Sequence, residues 1–229
     1  FMSRLKDSIR ILRHLSLQRV WNVFLLRLSF YLTRMTKKSF HFGLPASMSI
    51  EPTTACNLGC PECPSGLKQF TRPTGKLDLD LHKTLLSQIK STVFYINYYF
   101  QGEPFLHPRF LELIKDAKRE NIYTATSTNG HFIDFKKAKE IVASGLDRLI
   151  ISVDGLTQET YEQYRRNGQM EKVLEGARNI IKWRKALNSK TPMVVFQFLV
   201  VRPNEHQVDE VRQLAREIGL DDVWFKTAQ

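Results

Sequence analysis

The sequence predicts an α/β fold, a partial (β/α)6 TIM-like barrel with an N-terminal helical extension. Three observations predict it. From Ala46 onward, strand-like and helix-like runs alternate six times, the pattern of parallel βαβ units. Six units are too few to close an eight-stranded barrel. No Gly-x-Gly-x-x-Gly turn follows the first strand, so a dinucleotide-binding sheet is not indicated.

The extension comes first. Ser3 to Lys37 contains no Pro or Gly, and Leu17, Trp21, Phe24, Leu28, Leu32 and Met35 recur at steps of three and four, so one or two helices are expected. The most apolar run, Val20 to Thr33, is broken by Arg27 and falls short of the roughly 20 residues a membrane span needs. Its basic amphipathic character suits either packing on the barrel or another subunit, the favoured reading, or contact with an anionic membrane surface. The domain division expected is 1–42 for this extension and 43–229 for the core.

Strands are then expected near 47–51, 93–100, 122–127, 148–153, 193–200 and 222–227. Helices are expected near 79–90, 108–119, 134–144, 157–187 and 205–218. The last strand runs nearly to Gln229 without its helix, so the domain reads as truncated.

Composition narrows the class. With 42% apolar residues in 229, the chain can bury one good-sized core, and disorder is excluded. The formal charge is +11, but residues 1–40 hold nine Lys or Arg against Asp7 alone, so eight of those charges belong to the extension. The core is only mildly basic and lacks an Arg-rich run with interleaved aromatics, which argues against nucleic acid as a partner. Three cysteines within eight residues are not a disulfide framework and point to a reducing compartment. Small residues suited to signal cleavage are missing after the first apolar stretch, so the chain reads as cytoplasmic.

The cysteines carry the chemistry. Cys56-Asn-Leu-Gly-Cys60-Pro-Glu-Cys63 follows the first strand, in the loop that barrel geometry places at the C-terminal face. A four-iron cluster usually takes four Cys ligands, so three leave one iron open to another ligand. A structural zinc site would need a fourth ligand from the distant His41, His82 or His107, and a ferredoxin would need a fourth local Cys. The competing reading from another class is a non-catalytic iron-sulfur or zinc module whose basic helix binds a membrane or a partner.

The three-then-two spacing resembles the radical S-adenosylmethionine (SAM) superfamily. Further motifs at successive strand ends extend the likeness over residues 46–229. Gln101-Gly102-Glu103-Pro104 resembles the family's Gly-Gly-Glu-Pro segment, which binds the SAM amino group. Thr126-Ser-Thr128-Asn129-Gly130 resembles its Thr-Asn-Gly segment, and Ser152-Val-Asp154-Gly155 its ribose-binding segment. Arg165, with Arg166 as the alternative, stands where the family pairs an Arg with the SAM carboxylate.

Two positions depart from the family pattern. Glu62 replaces an aromatic residue beside the adenine, leaving a backbone contact there, and Gln101 replaces a glycine. The resemblance implies a [4Fe–4S] cluster on Cys56, Cys60 and Cys63, cleavage of SAM to a 5′-deoxyadenosyl radical, and a flavodoxin or ferredoxin as reductant. It also implies a peptide or small-molecule substrate. The stretch from Ser152 to Arg165 resembles members with a C-terminal SPASM or twitch extension carrying additional clusters. No general base for the substrate stands out. His107, the aromatic run Phe94–Phe100, Trp183 and Trp224 are read as structural.

Overall fold

The computed structural model describes residues 2–227, so residue 1 and residues 228–229 of the expected domains lie outside the described residues. One parallel sheet contains β1 (Ser47–Ser49), β2 (Tyr95–Asn97), β3 (Tyr123–Thr128), β4 (Arg148–Ser152), β5 (Met193–Val200) and β6 (Asp222–Thr227). Spatial order repeats chain order from β1 to β6. A doubly wound sheet reverses its strand order at a switch point. This one never reverses, so successive crossovers advance in one direction and the sheet curls with its helices outside, as a partial barrel does.

Among the described residues eight helices accompany it: α1 (Met2–Leu12), α2 (Leu17–Thr36), α3 (Leu79–Ile89), α4 (Phe110–Arg119), α5 (Phe135–Ala143), α6 (Gln158–Tyr164), α7 (Met170–Ala186) and α8 (Val208–Ile218). Local chemistry starts several of them. Ser16, Asp78, Asp134 and Thr157 each accept a hydrogen bond from a first-turn backbone N–H, satisfying donors that a helix end leaves free.

Leu149 and Ile151 of β4 and Val194, Phe196 and Phe198 of β5 join the core together with Leu113, Ile141 and Ile180 of the helices. The alternate residues pair across the sheet as layers: Ser127, Ile150 and Val195 form one, and Ser152 and Gln197 lie in the next, nearer the strand ends. Polar side chains therefore gather at the mouth while apolar ones hold the wall.

The opposite end of the barrel is closed by the extension. Asp7 of α1 is 4% exposed, accepts from the Tyr123 hydroxyl, and pairs with Arg148 at 2.8 Å. The Arg148 guanidinium lies over the Tyr95, Tyr123 and Trp224 rings. Arg19 is 3% exposed and donates to the carbonyls of His14, Lys90, Glu120 and Asn121. Two helices thus pack on the barrel, the reading favoured from sequence. No helix among the described residues is long and apolar enough to cross a membrane.

Three expectations change in detail. The helix expected over 157–187 divides into α6 and α7, because Asn167 adopts φ 64 and turns the chain. The run Phe94–Phe100 is strand only over Tyr95–Asn97, and Phe100 is 73% exposed. Helices expected from 108 and 205 begin at Phe110 and Val208, preceded by 3-10 turns at Pro104–Leu106 and Glu205–Gln207.

Candidate active site

The cysteine loop leaves β1 and folds back on itself. A Cβ at Gly66 would stand 2.6 Å from the Cys60 nitrogen, so only glycine lets the loop close this tightly. The Gly59 N–H donates to the Arg166 carbonyl at 3.0 Å, which fastens the loop to the α6–α7 turn.

The loop after β2 clamps the other side. Gly102 has φ +76, and a Cβ there would meet the Thr53 carbonyl at 2.4 Å. Its glycine thus serves the packing of two loops. The Glu103 N–H donates to Ala55 O at 2.7 Å, the Gly102 N–H to Ser65 Oγ at 3.0 Å, and the Gln101 N–H to Glu51 Oε1 at 3.0 Å. Gln101 Oε1 accepts from Cys63 Sγ at 3.7 Å and from Ser65 Oγ at 3.3 Å, so the side chain standing in place of glycine points at a cysteine.

These loops enclose a cavity of 220 Å³ lined by Cys56, Cys60, Cys63, Gly102, Glu103, Thr128, Asn129, Ser152 and Arg165. Nine of the twelve residues singled out by sequence therefore converge. Gln101 is joined to the cavity through Cys63. Asp154, 1% exposed, stands behind Arg165, its Oδ2 accepting from Nε at 2.5 Å and its Oδ1 from the Leu199 N–H at 2.8 Å. Glu62 lines a second cavity of 1170 Å³ with Tyr164, Leu199, Val201, Phe225 and Lys226. The two cavities flank the cysteine loop.

Glu103 is placed differently from a ligand-facing carboxylate. It is 1% exposed, with Oε1 accepting from Thr128 Oγ1 at 2.7 Å and the Phe105 N–H at 3.1 Å, and Oε2 from the Asn129 N–H at 2.7 Å. It ties the β2 and β3 loops together. Burial pushes its pKa up to about 7, against the pull of the Asn129 and Thr128 hydrogen bonds.

The sign of the consequence follows from linkage. Ionising Glu103 costs more in the folded chain than in the unfolded one, so its contribution to stability falls as pH rises from roughly 4.5 to 7. Between pH 5 and 8 the loss is about 2 to 3 kcal/mol. Urea melts of the cofactor-free protein should show that slope, and Glu103→Gln should flatten it. An unchanged slope in the variant would refute the assignment.

Burial likewise raises the Cys56 and Cys60 thiols, while at Cys60 the Arg165 guanidinium pulls the other way from 3.9 Å. For Arg165 burial opposes the charge, but Asp154 and Cys60 outweigh it and the pKa is raised. A permanent cation beside a thiol favours the thiolate that iron binds.

Among the described residues no three His, Cys, Asp or Glu side chains gather closely enough to hold one ion. A four-iron cluster asks for something else, one thiolate on each of three separate irons, and three thiols around one cavity supply that donor set. Two of the three distant histidines are occupied elsewhere: His82 Nε2 meets the Tyr98 hydroxyl and His107 Nε2 the Leu77 carbonyl, both at 2.8 Å.

Sequence reasoning missed several residues. Gln197, Tyr99, Phe100 and Ser127 also line the smaller cavity. Gln197 had a signal, the one polar side chain in Met193–Val200, a strand otherwise wholly apolar. Ser65, which braces Gln101 and Gly102, had none.

Residues 50–215 match the Radical SAM superfamily profile. Over 175 residues the chain is 30% identical to the PqqA peptide cyclase of Gluconobacter oxydans, covering 76% of this chain and 47% of that protein. Over 185 residues it is 30% identical to the mycofactocin maturase MftC of Mycobacterium tuberculosis, covering 80% and 45%. Its structure resembles Streptococcus suis SuiB bound to S-adenosylmethionine, with TM-score 0.69 and 15% identity over 89% of this chain and 44% of that one, a likeness of fold. The chain spans about half the length of the curated relatives it matches.

Proposed function

Since the chain belongs to the radical SAM superfamily, we propose that it is the core of an enzyme that reductively cleaves S-adenosylmethionine, with Cys56, Cys60 and Cys63 as ligands of a [4Fe–4S] cluster. When bound, that cluster supplies the electron that breaks the sulfonium bond and yields a 5′-deoxyadenosyl radical able to take hydrogen from a substrate. The observation that carries this reading is the convergence of three thiols and a half-buried Arg on one cavity at the barrel mouth.

The chain's own residues bind and orient. Arg165 spends Nε on Asp154 and Nη1 on Cys60, which leaves its Nη2 edge for the SAM carboxylate. Ser152 and Gln197, adjacent in one inward layer, present hydroxyl and amide groups to the ribose side. Asp154 aims Arg165, and a ribose contact of its own requires that pair to loosen. Asn129 Nδ2 donates to Asn57 Oδ1 at 2.8 Å and lies 3.9 Å from Cys56 Sγ, holding the start of the cysteine loop. Glu103 and Thr128 keep Asn129 and Gly102 in register, and Glu62 offers backbone to the adenine.

The larger cavity suits the substrate. Apolar Leu199, Val201 and Phe225 are joined there by Glu62 and Lys226, groups that can meet the backbone and mixed side chains of a peptide. The PqqA peptide cyclase, by its name, acts on a peptide, which favours a peptide over a small metabolite. A flavodoxin or ferredoxin fits as reductant, and a cytoplasmic setting fits exposed iron-sulfur chemistry. The length of the relatives leaves room for a SPASM or twitch segment outside this chain.

Electron paramagnetic resonance of the anaerobically reconstituted, dithionite-reduced protein tests the open iron site. Addition of SAM should shift the cluster signal. A signal indifferent to SAM, or zinc in place of iron, would favour the non-catalytic module.

A further inference from the structure

The extension is built inside out. The fully buried residues of α2 are polar, Arg19, Asn22 and Ser29, with Val23, Leu26 and Leu32 half-buried beside them. Arg19 grips the carbonyls at the ends of α3 and α4, Asn22 exchanges hydrogen bonds with Leu44 in both directions, and Ser29 accepts from the Phe42 N–H. At 100° per residue the opposite side carries Leu17, Trp21, Phe24, Leu28, Tyr31 and Met35 within one narrow sector. All six are exposed, Leu17 at 91% and Met35 at 79%. The stripe runs about 27 Å along the helix. In α1 the same inversion holds, with Asp7 buried and Leu5, Ile9 and Leu12 exposed.

A helix whose most buried residues are polar, and whose apolar stripe faces out, is shaped to meet an apolar phase elsewhere. The charges select which. Arg13, Arg27, Arg34, Lys37 and Lys38 are exposed around the stripe, whereas the single acid of residues 1–40, Asp7, is buried against Arg148. The face therefore shows no negative group. A second copy would bring cation to cation, while anionic lipid headgroups complement the rim, the apolar stripe enters the acyl boundary, and Trp21 and Tyr31 suit the interface between them.

We propose that α1 and α2 form an interfacial anchor that lays the closed end of the barrel on an anionic phospholipid surface. The anchor contacts the barrel at Tyr123 and Arg148, where β3 and β4 begin. The cysteines lie at the other end of the strands, so docking leaves the mouth facing away from the lipid and open to substrate and reductant.

Flotation of the full-length protein with vesicles tests this independently of SAM chemistry. It should bind phosphatidylcholine mixed with phosphatidylglycerol, bind phosphatidylcholine alone at least roughly tenfold more weakly, and weaken in high salt. The double variant Trp21→Glu, Phe24→Glu should lose at least roughly tenfold in vesicle binding with circular dichroism and iron content unchanged. Absence of the wild-type protein from the floated vesicles would overturn the proposal. So would equal binding by the double variant, or a wild-type dimer that the variant dissociates while vesicle binding stays the same.

Discussion

Cys60→Ala is expected to abolish cluster assembly, taking iron from about four per chain to background. SAM cleavage should fall on the order of a thousandfold or more, since the chemistry resides in the cofactor. Of the three thiols Cys60 is the buried one, 5% exposed, at the point where Gly66 closes the loop and Arg165 supplies a cation. With it gone, two ligands remain on a loop too constrained to recruit a substitute. The fold itself should survive, since alanine keeps most of the packing, at a cost of about 1 kcal/mol. Iron analysis and circular dichroism on the same sample separate the two effects. A full iron complement in the variant would mean that the ligand set is wrong.

Arg165→Ala is expected to act twice. It strands the Asp154 carboxylate, 1% exposed, without its counter-charge, and breaking such a pair costs about 3 to 5 kcal/mol. It also removes the guanidinium proposed to bind the SAM carboxylate, which should weaken SAM binding roughly tenfold to a hundredfold. Arg165→Lys should recover part of the stability but little of the affinity, because an ammonium keeps the charge and loses the fork. Urea melts of the cofactor-free protein and equilibrium SAM binding to the reconstituted one read the two effects apart. Stability lost with affinity intact would make Arg165 a structural residue only.

Much of this arrangement is legible along the chain because a barrel of parallel strands delivers each βα loop to one face. Cys56 and Gly102 follow β1 and β2, Thr128 and Ser152 end β3 and β4, and Arg165 closes α6 after β4, so knowing the fold places them together. The β4 and β5 limits were read to within a residue because largely apolar runs such as Met193–Val200, interrupted only by Gln197, have clear ends.

What could not be read depends on distant partners. Nothing local to Asp7 announces Arg148, 141 residues away, and nothing local to Arg19 announces the carbonyls of Glu120 and Asn121. Glu103 reads as a ligand-facing carboxylate, yet three donors from the chain already occupy it, two of them from the β3 loop. Tyr99 and Phe100 read as strand because aromatic residues favour sheets, but β2 ends at Asn97 and releases them toward the cavity.

The most direct test of the central claim is product analysis of the anaerobically reconstituted protein mixed with SAM and dithionite. The proposed site predicts 5′-deoxyadenosine and methionine in equal amounts from the wild-type protein and neither from Cys60→Ala. Intact SAM after full reduction of a loaded cluster would contradict it.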